Sequence, residues 1–96
     1  GGQSVVLRIQ GDSMRDVGIR DGDLLAVAKA VVANNGCIVV ARIDDAVTVK
    51  RLQFTAEPHR LRLVPENPDF QPIEVDLRTS TFALEGISVG LVRTRI

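Results

Sequence analysis

Short apolar runs rich in valine recur along the whole chain between polar turn signals, with a period nearer two than 3.6. That rhythm predicts strands. Residues 4–9 read as the first, Asp21-Gly22-Asp23 as a turn, and residues 24–28 as the second. Residues 30–33 fit neither period and end in the turn signal Asn34-Asn35-Gly36. Residues 37–43 and 47–52 flank Asp44-Asp45, whose short polar side chains tolerate tight-turn geometry, which predicts a hairpin. On its second arm, strand alternation places Thr48, Lys50 and Leu52 on one face and Val47, Val49 and Arg51 on the other.

Residues 61–64 form a short strand stopped by Pro65. Pro65, Pro68 and Pro72 predict an irregular crossing loop, because proline lacks the amide that a ladder uses. Residues 82–96 return to strand, with bulges or bends expected at Gly86 and Gly90. Only residues 14–19 suit a helix, of about one turn. The expected fold is mostly β, built of small twisted antiparallel sheets. Residues 4–96 form a single domain, and residues 1–3 read as a linker or an artificial boundary.

Composition narrows the function classes. Ninety-six residues, 45% apolar, suit one small core made of Val, Ile and Leu, since Phe54, Phe70 and Phe82 are the only aromatics. Twelve basic and twelve acidic side chains give zero net charge, and the ten arginines are scattered. A module gripping duplex nucleic acid needs a basic excess, so this chain is a poor one by itself. Cys37 is the single cysteine, so no internal disulfide forms and a reducing cytoplasm is expected; within its apolar run it reads as structural. No segment approaches the ~18 apolar residues of a membrane span. One histidine and one cysteine make no zinc cluster, Asp21-Gly22-Asp23 is commoner as a turn than as a calcium site, and no cofactor is expected.

Two residues carry candidate chemistry. Ser13 lies in the polar turn Gly11-Asp12-Ser13-Met14, which suits an exposed hydroxyl and backbone N–H groups aimed at one point. It also suits a helix N-cap, with Asp16 reinforcing it, and from local spacing alone the cap is the commoner outcome. Lys50 sits in Val47-Thr48-Val49-Lys50-Arg51-Leu52. An ammonium among valines is poorly solvated, which lowers its pKa and frees it as a base, although strand lysines usually face water. A serine needs such a base to become a nucleophile, and Ser–Lys is one recognised solution. His59, in the polar turn Glu57-Pro58-His59-Arg60, is a weaker partner; Lys29 reads as exposed; and no Ser-x-x-Lys motif occurs.

The same residues resemble the catalytic domain of LexA-type repressors. The resemblance covers Gly11-Asp12-Ser13-Met14, Asp21-Gly22-Asp23-Leu24-Leu25-Ala26-Val27, Val39-Val40-Ala41-Arg42-Ile43-Asp44-Asp45, Val47-Thr48-Val49-Lys50-Arg51-Leu52 and Pro65-Glu66-Asn67-Pro68. It runs over nearly the whole chain. UmuD-type mutagenesis proteins and phage repressors share the serine and lysine motifs, but residues 63–70 are more similar to the LexA type. The resemblance implies a serine endopeptidase in which Ser13 attacks an Ala-Gly-type bond of its own chain. Neutral Lys50 would be the base, and the Asp12 and Ser13 backbone N–H groups the oxyanion hole. It also implies stimulation by a RecA filament on single-stranded DNA, an end to repression of DNA-damage genes, and a homodimer paired through residues 87–96. Operator DNA would be bound only by a separate N-terminal domain, with no membrane involved. The other class of function is a non-catalytic dimerisation and partner-binding module. Two departures stand out: no Ala-Gly or Cys-Gly dipeptide occurs in these residues, and Ala46 replaces a glutamate common four positions before the lysine.

Overall fold

The computed structural model describes residues 3–93, and among them seven strands join in one antiparallel sheet. They are β1 (Ser4–Arg8), β2 (Leu24–Lys29), β3 (Ile38–Ile43), β4 (Ala46–Phe54), β5 (Arg60–Val64), β6 (Ile73–Asp76) and β7 (Phe82–Val92). The order across the sheet is β1-β2-β7-β3-β4-β5-β6. The mostly β expectation holds, with one continuous sheet in place of several small ones. The only helix among the described residues is a single 3₁₀ turn, Arg15–Val17, which ends at Gly18 in the left-handed region (φ 84°).

The unbroken apolar run of β3 has a simple cause: both of its faces are covered. Val39 and Ala41 join a core with Leu52, Leu61, Leu63 and Val75, while Val40 joins a second core with Ile9, Met14, Ile19, Leu25 and Val27. Alternation along β3 sends its residues in turn to the two clusters, so the sheet curls around two small cores. Each is aliphatic, as the composition requires.

The hairpin forms where expected. Ile43 pairs with Ala46, leaving Asp44 and Asp45 as a two-residue loop with Asp44 at φ 50°. The Asp44 side chain also accepts from the Thr81 amide at 3.1 Å, tying the turn to the approach to β7. Strand β7 carries the bulges anticipated at its glycines: its register against β3 shifts next to Gly86 and against β2 next to Gly90. At Gly86 the constraint is space. A Cβ there would lie 2.5 Å from Val27 Cγ1 and 2.7 Å from the Ala28 carbonyl oxygen. The expected extension of this strand over residues 94–96 lies outside the described residues.

One expectation needs correction. Residues 65–72 do form the irregular crossing, but Ile73–Asp76 is a strand rather than part of that loop. Pro72 stands just before the ladder and β6 is an edge strand paired only with β5, so no proline amide is missed. Val75, 1% exposed, supplies the driving force by closing the core of Val39, Leu52 and Leu63 opposite Leu61.

Two substitutions test this packing by urea denaturation. Leu63→Ala, at a site with no exposed surface, should cost about 3 kcal/mol. Gly86→Ala should cost about 2 kcal/mol or more despite adding one methyl, because a stiff β-branched side chain and the Ala28 backbone both stand in its way. A Gly86→Ala protein as stable as the parent would contradict the close β2–β7 approach.

Candidate active site

Ser13 and Lys50 meet. The Lys50 Nζ lies 3.0 Å from Ser13 Oγ, 2.6 Å from Thr48 Oγ1 and 3.2 Å from the Val49 carbonyl oxygen. Lys50 is 8% exposed, one of two buried polar residues described, and it stands opposite Val39 in the β3–β4 ladder. The solvent-face alternative for Lys50 is therefore set aside. Burial lowers its pKa from the ordinary 10.5 through desolvation of the ammonium. No carboxylate among the described residues pairs with it to restore the charge, because none of the ion pairs includes Lys50.

The three oxygens suit both protonation states. An ammonium donates once to each of them. A neutral amine has two N–H bonds, enough for the Val49 carbonyl and Thr48, and a lone pair left to accept the Ser13 hydroxyl proton. The arrangement can therefore take a proton from serine without breaking the other two contacts.

The turn that carries Ser13 is anchored from three sides. Met14, 2% exposed, is planted in the core with Ile9 and Ile19. On one flank, the Gly11 amide donates to Asp21 Oδ1 at 2.7 Å and the Asp21 amide to Asp12 Oδ1 at 3.1 Å. On the other flank lies the crossing loop. The Glu66 amide donates to the Ser13 carbonyl at 2.8 Å, the Asp16 amide to the Glu66 carbonyl at 2.9 Å, and Asn67 Nδ2 to the Asp12 carbonyl at 2.8 Å. The Glu66 carboxylate in turn accepts from Arg51 Nε at 2.6 Å, and Arg51 also donates to the Gly36 carbonyl at 2.7 Å. Lys50 and Arg51, neighbours on β4 facing opposite ways, thus serve both halves of the site. One touches the serine, and the other holds the loop that holds the serine.

Ser13 does not cap the 3₁₀ turn. Met14 occupies the cap position and no side chain bonds there. Among the described residues, neither the Asp12 nor the Ser13 amide donates a hydrogen bond.

The weaker candidates stay apart. His59 lies 2.9 Å from Glu57 at the β4–β5 turn, Cys37 is half-buried beside the core of Val39, Leu52 and Leu63, and the Asp21 and Asp23 carboxylates accept from backbone amides as turn formers. No metal-ligating cluster occurs among the described residues. Ala46 is exposed at the hairpin end, where β4 begins. Three contributors were not read as functional from the sequence. Thr48 had a signal, since it shares a face with Lys50. Glu66 and Asn67 had none, because their contacts reach back more than fifty positions to the serine turn. A groove of about 280 Å³, lined by residues 7–10 and 47–49, opens beside Thr48.

Comparison with known proteins shows similarity over nearly the whole chain. The family model described as Peptidase S24-like matches residues 1–89. The LexA repressor of Herminiimonas arsenicoxydans is 61% identical over 89 residues, which cover 93% of this chain and 40% of that protein. The LexA repressor of Bordetella petrii is 61% identical over 90 residues (94% and 39%), and that of Saccharophagus degradans 55% over 91 residues (95% and 45%). The chain thus spans less than half the length of these relatives.

Burial of Lys50 has a measurable consequence for stability. Its pKa is lower folded than unfolded, so between the two values the unfolded chain binds more protons and stability rises with pH, up to about 10.5. Lys50→Met should remove that rise and be at least as stable as the parent at neutral pH, because an uncompensated buried amine is replaced by an apolar side chain of similar length. Thermal melts of both proteins from pH 7 to 10 read this directly. A parental melting temperature whose pH dependence matches that of the variant would mean the amine is solvated.

Proposed function

The chain belongs to the S24-like peptidase family, and on that footing we propose that it is the catalytic core of a self-cleaving repressor of the LexA type. The observation that carries this reading is the 3.0 Å contact between a buried lysine without a counter-charge and a serine in a braced turn. Neutral Lys50 takes the Ser13 proton as Oγ attacks the carbonyl carbon of the scissile bond. The oxygen becomes an oxyanion held by the Asp12 and Ser13 N–H groups, which have no other acceptor among the described residues. Collapse breaks the C–N bond, and the Lys50 ammonium returns its proton to the leaving amine. Water then gives a proton to Lys50 as it attacks the acyl carbon, the bond to Oγ breaks, and Lys50 returns that proton to Ser13 Oγ.

The substrate on this reading is an Ala-Gly-type bond in a loop outside these 96 residues, laid along the groove between β1 and β4. β1 is an edge strand, and apolar side chains line much of that groove, both of which suit an extended peptide. A RecA filament would stimulate the reaction, and cleavage would end repression of DNA-damage genes in the cytoplasm. Pairing of residues 87–96 between two copies would make the dimer; their last three positions lie outside the described residues. Operator binding belongs to a domain outside this chain.

Cleavage in trans tests the reading. The substrate is the full-length LexA repressor of Herminiimonas arsenicoxydans with its own active serine changed to alanine. The rate should climb about tenfold per pH unit and level off below 10.5 as Lys50 becomes neutral. Ser13→Ala and Lys50→Ala should each lose at least about 10³-fold. A folded chain that cuts nothing between pH 7 and 10 would refute the peptidase.

A further inference from the structure

The crossing loop does more than close the fold: we propose that Asn67 is the positioning residue of the oxyanion hole. This rests on the peptidase reading above. Asn67 is 5% exposed and is the second buried polar residue described, after Lys50. Its amide has one possible orientation, because its partners differ in kind. Nδ2 donates to the Asp12 carbonyl at 2.8 Å, while Oδ1 accepts from the Asp69 amide at 3.0 Å and from Arg15 at 3.4 Å. The side chain is thus locked by its own loop and grips the serine turn with the remaining donor.

What it grips decides where the Ser13 N–H points. The Asp12–Ser13 peptide is planar and trans, so its C=O and N–H point in opposite directions. With the carbonyl drawn to Asn67, the Ser13 N–H faces away from the crossing loop. The next peptide is set the same way, since the Glu66 amide takes the Ser13 carbonyl at 2.8 Å. Two successive carbonyls are therefore turned toward residues 66–67, leaving the opposite side of the turn to N–H groups. Preorganised donors of this kind are worth most when nothing has to reorient as charge develops. The Arg15 amide also reaches the Asp12 carbonyl, at 3.2 Å, so loss of Asn67 loosens the peptide without releasing it.

Asn67→Asp is the sharpest variant. It keeps the acceptor for Asp69 and sets a carboxylate oxygen against the Asp12 carbonyl, which repels it and favours rotation of the peptide. Asn67→Ala removes the donor without adding charge, and serves if the aspartate variant does not fold. Two readouts are taken on folded protein: trans cleavage of the serine-less Herminiimonas arsenicoxydans repressor, and binding of a peptide boronic acid ending in alanine. That boronate takes the Ser13 oxygen to form a tetrahedral anion. The expected result is a kcat about 10- to 100-fold lower, with KM and the pH midpoint unchanged and boronate affinity reduced by a similar factor. A merely structural role predicts activity regained on cooling, and an effect on the dyad predicts a shifted pH midpoint; either overturns the assignment. So does a variant that matches the parent within about twofold in both readouts. A parent chain that neither cleaves nor takes up the boronate overturns the peptidase reading and this assignment with it.

Discussion

An amine withdrawn from water with no carboxylate to neutralise it is the constraint around which this molecule is arranged. Such a group is costly to bury, so the surroundings must supply polar oxygens without supplying charge. A threonine hydroxyl, a serine hydroxyl and a backbone carbonyl do so at Lys50. A carboxylate in any of those places would hold the amine protonated. The Ser13 turn is therefore part of what makes the burial of Lys50 tolerable.

The covering of β4 follows from this. Lys50 on this strand pairs with Val39 of β3, and the Ser13 turn lies against its amine, which keeps the side chain from the bulk solvent that face-exposed strand lysines enjoy. The same strand then uses its opposite face for Arg51, whose contacts with Glu66 and Gly36 fasten the crossing loop. Two adjacent basic residues with opposite orientations thus touch the serine and the loop that braces it. The loop, rich in proline and poor in regular structure, delivers a backbone amide and a buried side-chain amide to the serine turn, and rigidity comes from those bonds rather than from a helix or strand.

Much of this was legible in the residue pattern. The hairpin at Asp44-Asp45, the bulges at Gly86 and Gly90, and the shared face of Thr48 and Lys50 follow from period two and turn chemistry. Local spacing alone could not separate a capping Ser13 from one that meets Lys50, because both need the same small polar turn; the difference lies in what stands opposite, and Lys50 is brought there by the sheet. β6 was obscured by the prolines around it, since the rule against proline in a ladder does not reach an edge strand that begins one residue later. Asn67 was invisible for a deeper reason. Its partners are backbone groups, which every residue has, so no pairing of side-chain types announces it.

The place of β7 in the sheet bears on when the site can exist. It lies between β2 and β3, so before it pairs, the ladder is two separate ribbons: β1–β2, which flank the serine turn, and β3 through β6, with the lysine. Until residues 82–92 have left the ribosome, no strand pairing joins the two. The strand made last is thereby the one that joins the half of the sheet flanking the serine turn to the half that carries the lysine.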